Sequence, residues 1–337
     1  MNNLQPLRAA DYTSYVLITA LVLAALLNGL LGALFAGLLV HSLVTATSPY
    51  IGEKIGNGYA KIVAVTAIGS LVITALTLAV WGIITFFQSD AGSAEALLQR
   101  MADILDASRE QCPAWICTHL PDNAEEMREM ITNWMREHAK EARSWSEDAG
   151  HTLIRVLLGM IIGAMVSLHV RKPLDTMKPL SSALLRRIRT LSHAFRKIVF
   201  AQVRISAVNT TFTAIYILVI LPLAGVHLSL AKSLVVITFI AGLMPIIGNL
   251  ISNTILVIVA LPHGLSVATA SLIFLVVLHK LEYFLNAKII GSEIKAHAWE
   301  LLIAMLVMES IFGITGVVAA PVLYAYLKQE LIQRQWV

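Results

Sequence analysis

The chain has 337 residues and a net charge of +4, with 57% hydrophobic and 14% charged residues and a mean hydropathy of +0.75. A soluble domain averages about 25% charged residues, so this composition excludes an ordinary water-soluble enzyme and predicts an all-α, polytopic membrane protein. No Gly-x4-Gly-Lys-Ser/Thr loop, His-Glu-x-x-His or Gly-x-Ser-x-Gly motif occurs, which argues against an ATP-driven pump, a zinc protease and a serine hydrolase.

Residues 13–52, 62–89, 156–170 and 205–231 carry no Asp, Glu, Lys or Arg, and neither do the 47 residues from Ser233 to His279. A further window, 301–327, is interrupted only by Glu309. At roughly 20 apolar residues per crossing, these windows predict seven or eight transmembrane helices. The first apolar run outlasts a signal-peptide core and has no small-x-small site after it, so residues 1–89 are expected to stay as N-terminal transmembrane helices. Tyr15 to Thr47 is long for one span, and Asn28-Gly29 with Gly32 allows a break into two helices. A hairpin there suits the charge count of the following loops, with one tilted helix as the alternative.

Residues 90–150 form an insert with thirteen acidic against six basic residues, whereas residues 171–204 carry nine Lys or Arg against one Asp. Basic loops resist translocation, so 171–204 is expected in the cytoplasm and the acidic insert outside, one crossing (151–170) away. Arg155, one turn into that crossing, is expected to snorkel outward. The insert shows two amphipathic helical patterns, Leu97-Met101-Ile104-Leu105-Ser108 and Met127-Ile131-Trp134-His138-Ala142-Trp145, which predict a small helical cap. Cys112 and Cys117 both lie in it, where an oxidising compartment would permit a disulfide; two buried thiols are the alternative. Without a His pair nearby they fall short of a metal site, and neither metal nor other cofactor is expected.

In the basic region, Leu180, Leu184, Ile188, Leu191, Phe195 and Ile198 share a helical face, while Arg186, Arg187, Arg189, Arg196 and Lys197 occupy the rest. This predicts an interfacial helix on anionic membrane lipids; no soluble domain follows to present the charges to nucleic acid.

Residues 205–337 are expected to form the transport core, with broken or re-entrant helices. Residues 205–221 and 265–284 read as outward spans, 234–261 as an inward span broken at Pro245, 301–327 as a second bent inward span, and Pro262-His-Gly264 as a cytoplasmic turn. Pro245 and Gly248 break a helix at a depth where lipid satisfies no backbone group, so the freed groups must face protein or water. Asn249 and Asn253 share a face just beyond, and half-helix ends offer free amides and carbonyls to a solute or ion. The alternative is a kink whose polar residues join helices. His279, Glu282 and Asn286 sit at i, i+3 and i+7, and Glu309, costing about 2.5 to 3.5 kcal/mol to insert, is the candidate for proton coupling. Gly313 and Gly316, with Pro321, mark the second bend.

Three of these segments carry a resemblance. Met244-Pro245-Ile-Ile-Gly248-Asn-Leu-Ile-Ser252, Glu282-Tyr-Phe-Leu-Asn286-Ala-Lys-Ile-Ile-Gly291 and Gly313-Ile-Thr-Gly316-Val-Val-Ala-Ala-Pro321-Val322 are similar to segments of the autoinducer-2 exporter family of bacterial inner-membrane proteins. The likeness in sequence covers about 200–328, and the remainder matches in layout. The chain departs from the family's usual pattern at Ala287, where Pro is common, at His297-Ala298, and at Met308-Glu309-Ser310, where glycines are common. The resemblance implies export of a small polar solute such as autoinducer-2, or Na+/H+ antiport, by a homo-oligomer, for which a pentamer is the candidate. The rival from the residues alone is a membrane scaffold that binds a partner through its insert.

Overall fold

The computed structural model describes residues 9–55, 57–88, 124–169, 176–228, 231–243 and 247–336, and among these the regular structure is helical, with no strand. The helices are α1 (Ala9–Leu27), α2 (Leu31–Ile55), α3 (Asn57–Gln88), α4 (Ala124–Glu137), α5 (Ala139–Leu168) and α6 (Pro179–Ile215), which continues through a π turn (Tyr216–Ile220) to Leu223. They are followed by α7 (Ala231–Gly242), α8 (Ile247–Ala260), a 3-10 turn (Leu261–His263), α9 (Leu265–Ile294), α10 (Ala298–Phe312) and α11 (Ile314–Gln333). Four stretches among the described residues are long and apolar enough to cross a membrane: Ala9–Leu27, Leu31–Glu53, Gly150–Leu168 and Pro179–Leu223.

The chain forms two compact units, one of Met1–Ile68, Thr152–Ile205 and Tyr283–Val337, the other of Gly69–His151 and Ser206–Glu282. In the first, Leu26, Leu31, Phe195, Ile198, Ile205, Ile290 and Val322 join one buried cluster. The break between α1 and α2 falls at Asn28-Gly29-Leu30, as the sequence suggested. Gly29 takes φ +64° there, a left-handed conformation that glycine adopts at no steric cost. Arg155, an exposed residue, donates to the Asn28 carbonyl at 3.4 Å, bracing this turn.

α2 and α5 touch backbone to backbone. Cβ atoms added at Gly159 and Gly163 would collide with the carbonyls of Ala33 and Gly37, and one at Gly37 would lie 2.8 Å from the Gly159 carbonyl. Two small-x-x-x-small pairs thus face each other, which is how apolar helices approach closely where water supplies no hydrophobic drive. One turn beyond the contact, His41 Nδ1 lies 2.8 Å from Ser167 Oγ.

Two expectations change before residue 216. α5 runs unbroken from Ala139, so the end of the second insert pattern and the following span are one helix. Likewise α6 is continuous over 37 residues, about 55 Å, and joins the basic region to the following span. Nor is its basic face wholly solvated. Arg187 is buried, ion-paired with Glu330, 3.5 Å from Asp11 and stacked over the Tyr15 ring at 4.0 Å. Asp11 also pairs with Arg186 at 3.2 Å and Arg334 at 3.4 Å. Cys112, Cys117 and the pattern at 97–108 lie outside the described residues, as do the side chains of Met127, Ile131, Trp134, Ala142 and Trp145.

The second unit is built on α6 from Ser206 onward, α7, α8 and the first part of α9. Tyr216, Ile217, Leu221, Leu234, Leu256, Ala260 and Leu275 form its core. Pro222 lacks the N–H that would bond back along α6, and just before it the ladder slips into a π turn, with the Leu221 amide donating to the Tyr216 carbonyl.

Candidate functional site

The windows 234–261 and 301–327 are not single bent spans: each folds back on itself. In the second unit α7 ends at Gly242, α8 starts at Ile247, and a Cβ on Gly248 would collide with the Ala241 carbonyl. Leu234 and Leu256, far apart in sequence, share the buried cluster, as antiparallel arms require. The returning chain brings the 261–263 turn to the loop after α6, where His263 Nε2 lies 3.0 Å from the His227 carbonyl. That turn therefore lies at the same end as the loop before α7, not at the opposite end where a crossing would have put it.

The first unit holds the second hairpin, α10 and α11. Gly313 turns it with φ +61° and ψ −146°, its amide donating to the Glu309 carbonyl at 2.7 Å. A Cβ on Gly316 would collide with the Met308 carbonyl, the counterpart of Gly248 in the other hairpin. Both hairpins thus reverse over a short link and close on a glycine just inside the returning arm. At the open end of this one, Glu300 accepts from Lys328 Nζ at 2.5 Å, from the Tyr324 hydroxyl, and from the His297 amide at 3.1 Å. Lys328 first, then Tyr324 and the His297 amide, hold the Glu300 carboxyl down at about 2.

The sequence-derived candidates divide between the units. Gly248, Asn253, His279 and Glu282 lie in the second and Glu309, Gly313 and Gly316 in the first. Pro245 lies outside the described residues, as do the side chains of Asn249 and Asn286, while Asn253 is half-buried. On α9 the buried stripe runs Ala268-Ser271-Leu275-Leu278-Glu282 at spacings of three and four, so Glu282, 6% exposed, faces inward while His279 is exposed. Glu309 is exposed, between the exposed Leu306 and Ile311.

A polar stripe on α6 in the second unit escaped the sequence reading. Ser206, Asn209, Thr213 and Tyr216 are all buried at helical spacing. Ser206 Oγ donates to the Phe239 carbonyl at 2.7 Å, fixing α7 against α6 beside Gly242. Tyr216 Oη lies 3.0 Å from Ser271 Oγ, and its ring stacks on Phe274 at 4.1 Å. The Thr210 and Thr213 hydroxyls are buried without a hydrogen-bond partner among the described residues. Such oxygens cost about 1 to 3 kcal/mol unless water or a ligand meets them, so this interior suits hydration or a polar guest. The signal was legible as Ser-x2-Asn-x3-Thr-x2-Tyr within an uncharged run.

Against this geometry, the family model described as AI-2E family transporter matches residues 14–333, nearly the whole chain. The chain belongs to the AI-2E transporter family. Comparison with curated proteins and with solved structures finds no match. Membership agrees with the apolar helices: an AI-2E transporter is a membrane protein whose task is transport, not catalysis as a rule.

Proposed function

We propose that the protein is a multi-pass secondary transporter of the bacterial inner membrane, exporting a small polar solute of the autoinducer-2 kind, or a cation, in exchange with a proton or sodium gradient, as a homo-oligomer. The observation that carries this reading is the pair of helical hairpins. Arms of 12 and 14 residues in α7 and α8 are about 18 and 21 Å long, short of the roughly 30 Å hydrocarbon core. Entering and leaving at one face, the α7–α8 hairpin brings its tip into the bilayer, where non-helical backbone lines protein or a wet cavity. The α10–α11 hairpin, with arms of 15 and 20 residues, reverses in the same way at Gly313. Gly248, Asn249 and Asn253 then lie at one tip and Glu309, Gly313 and Gly316 at the other.

Flux in proteoliposomes under an imposed pH or sodium gradient tests the proposal. Glu309→Gln should lower coupled flux at unchanged yield of folded oligomer, whereas equal flux removes Glu309 from the mechanism and absence of any flux favours the scaffold. Na+/H+ antiport is the second reading. It is favoured by the buried Glu282, a carboxylate in a unit otherwise rich in hydroxyl and amide oxygens, the oxygen donors that hard cations prefer. Under it, His279, Glu282 and Asn286 stand beside the ion path, and Glu282→Gln abolishes sodium-driven proton movement.

A further inference from the structure

A cavity of about 1160 Å³ lies in the first unit between α1, α2, α5 and α6. Its walls are aliphatic, and no Asp or Glu lines it, but Arg155 stands at one end and His169, Arg189, His193 and Arg196 line the rest. Along α5 the lining runs from Arg155 to His169, about 21 Å, enough to cover the roughly 15 Å of one leaflet's hydrocarbon.

The basic residues of α6 sort by the side they face. Arg186 pairs with Asp11, Arg187 with Glu330, Arg204 with Glu293, and Lys197 donates to the Glu293 carbonyl at 3.0 Å. Arg189 and Arg196, two turns apart and lining the cavity, have no acidic partner among the described residues, and Arg189 Nε is buried with no acceptor among them. His193 lies between them, its Nδ1 3.4 Å from Gln329 Nε2. Leu158, Ile162 and Val166 on the opposite wall are more than half exposed, so the cavity opens sideways along an apolar helix face.

We propose that this cavity seats one anionic phospholipid, its phosphate held by Arg189, His193 and Arg196 and its acyl chains against α2 and α5. Guanidinium groups that line one cavity without an acidic partner among the described residues match a phosphate, and the aliphatic walls match the chains. A leaflet lipid reaches the cavity through its open side, and cytoplasmic-leaflet anionic headgroups meet the basic end.

The test uses full-length protein purified in mild detergent, with bound lipids counted by native mass spectrometry and, after delipidation, thermal stability measured with added phosphatidylglycerol or phosphatidylcholine. One phosphatidylglycerol per chain should be retained, at least tenfold in preference to phosphatidylcholine, and only the former should raise Tm. Arg189→Gln/Arg196→Gln should lose the selectivity, Arg189→Lys/Arg196→Lys should keep most of it, and Ile162→Trp should lower retention of either lipid. Equal retention of both lipids by the wild type, or unaltered selectivity in the Gln variant, overturns the proposal. So does cross-linking between chains through a cysteine placed at Ile162, which would mean that a second copy fills the cavity.

Discussion

Arg187→Met probes the charged cluster that joins α1, α6 and α11. The Arg187 and Glu330 side chains are 4% and 5% exposed, so neither charge has water to fall back on. The substitution keeps the apolar stem but leaves Glu330 with the Tyr15 hydroxyl, at 3.0 Å. Removing one partner from a buried pair costs about 3 to 5 kcal/mol, and loss of the contact over the Tyr15 ring adds about 1. Protonation of the stranded Glu330 offsets part of this, leaving about 3 kcal/mol. At roughly 2 °C per kcal/mol for a chain of this size, Tm in detergent should fall by about 6 °C. Arg187→Met/Glu330→Met should recover most of the loss, because two apolar side chains replace both charges at once. Thermal unfolding followed by intrinsic fluorescence reads wild type and both variants, with Glu330→Met alone alongside. A double variant as unstable as the sum of the singles would refute the reasoning, since the cost would then lie in packing and not in a stranded charge.

Gly163→Leu should prevent α2 and α5 from closing, because its Cβ meets the Gly37 carbonyl; size-exclusion profiles of a fluorescent-protein fusion should show loss of the folded peak, while Ile161→Leu, at an exposed position on the same helix, should leave the profile unchanged. Because Glu300 is held near 2 against an ordinary 4.5, its folded value lies below its unfolded one, so its stabilisation is complete above about pH 5 and is lost as pH falls from 4.5 through 2. The stability gap between wild type and Glu300→Gln should therefore stay flat from about pH 8 to 5 and close below 4.5, as denaturation against pH will read. Cysteine labelling of intact cells, in a background lacking Cys112 and Cys117, should mark position 93 and spare position 182; the reverse would invert the topology.

The helical fold and the breaks near Asn28, Pro245 and Gly313 were legible because glycine and proline act locally, on a backbone that lipid cannot solvate. What followed the breaks near Pro245 and Gly313 was not legible. A break permits either a kink or a reversal, and the choice rests on whether Gly248 and Gly316 let two arms touch, a tertiary contact that spacing alone does not encode. Arg187 was misread for a related reason, since its helical position falls among solvated arginines and only the arrival of Glu330, 143 residues later, makes burial tolerable. The Gly159-x3-Gly163 pair stands in the sequence as part of an uncharged run, and its meaning depends on Ala33 and Gly37 opposite.

The central claim is that the α7–α8 hairpin tip lines the solute path, and flux through Asn249→Leu in proteoliposomes tests it most directly. Leu at 249 removes a polar group and dries the tip, while Gly248, which closes the hairpin, is kept. Gradient-driven flux should vanish while the protein elutes as the same folded oligomer as wild type. Wild-type flux in Asn249→Leu would contradict the account.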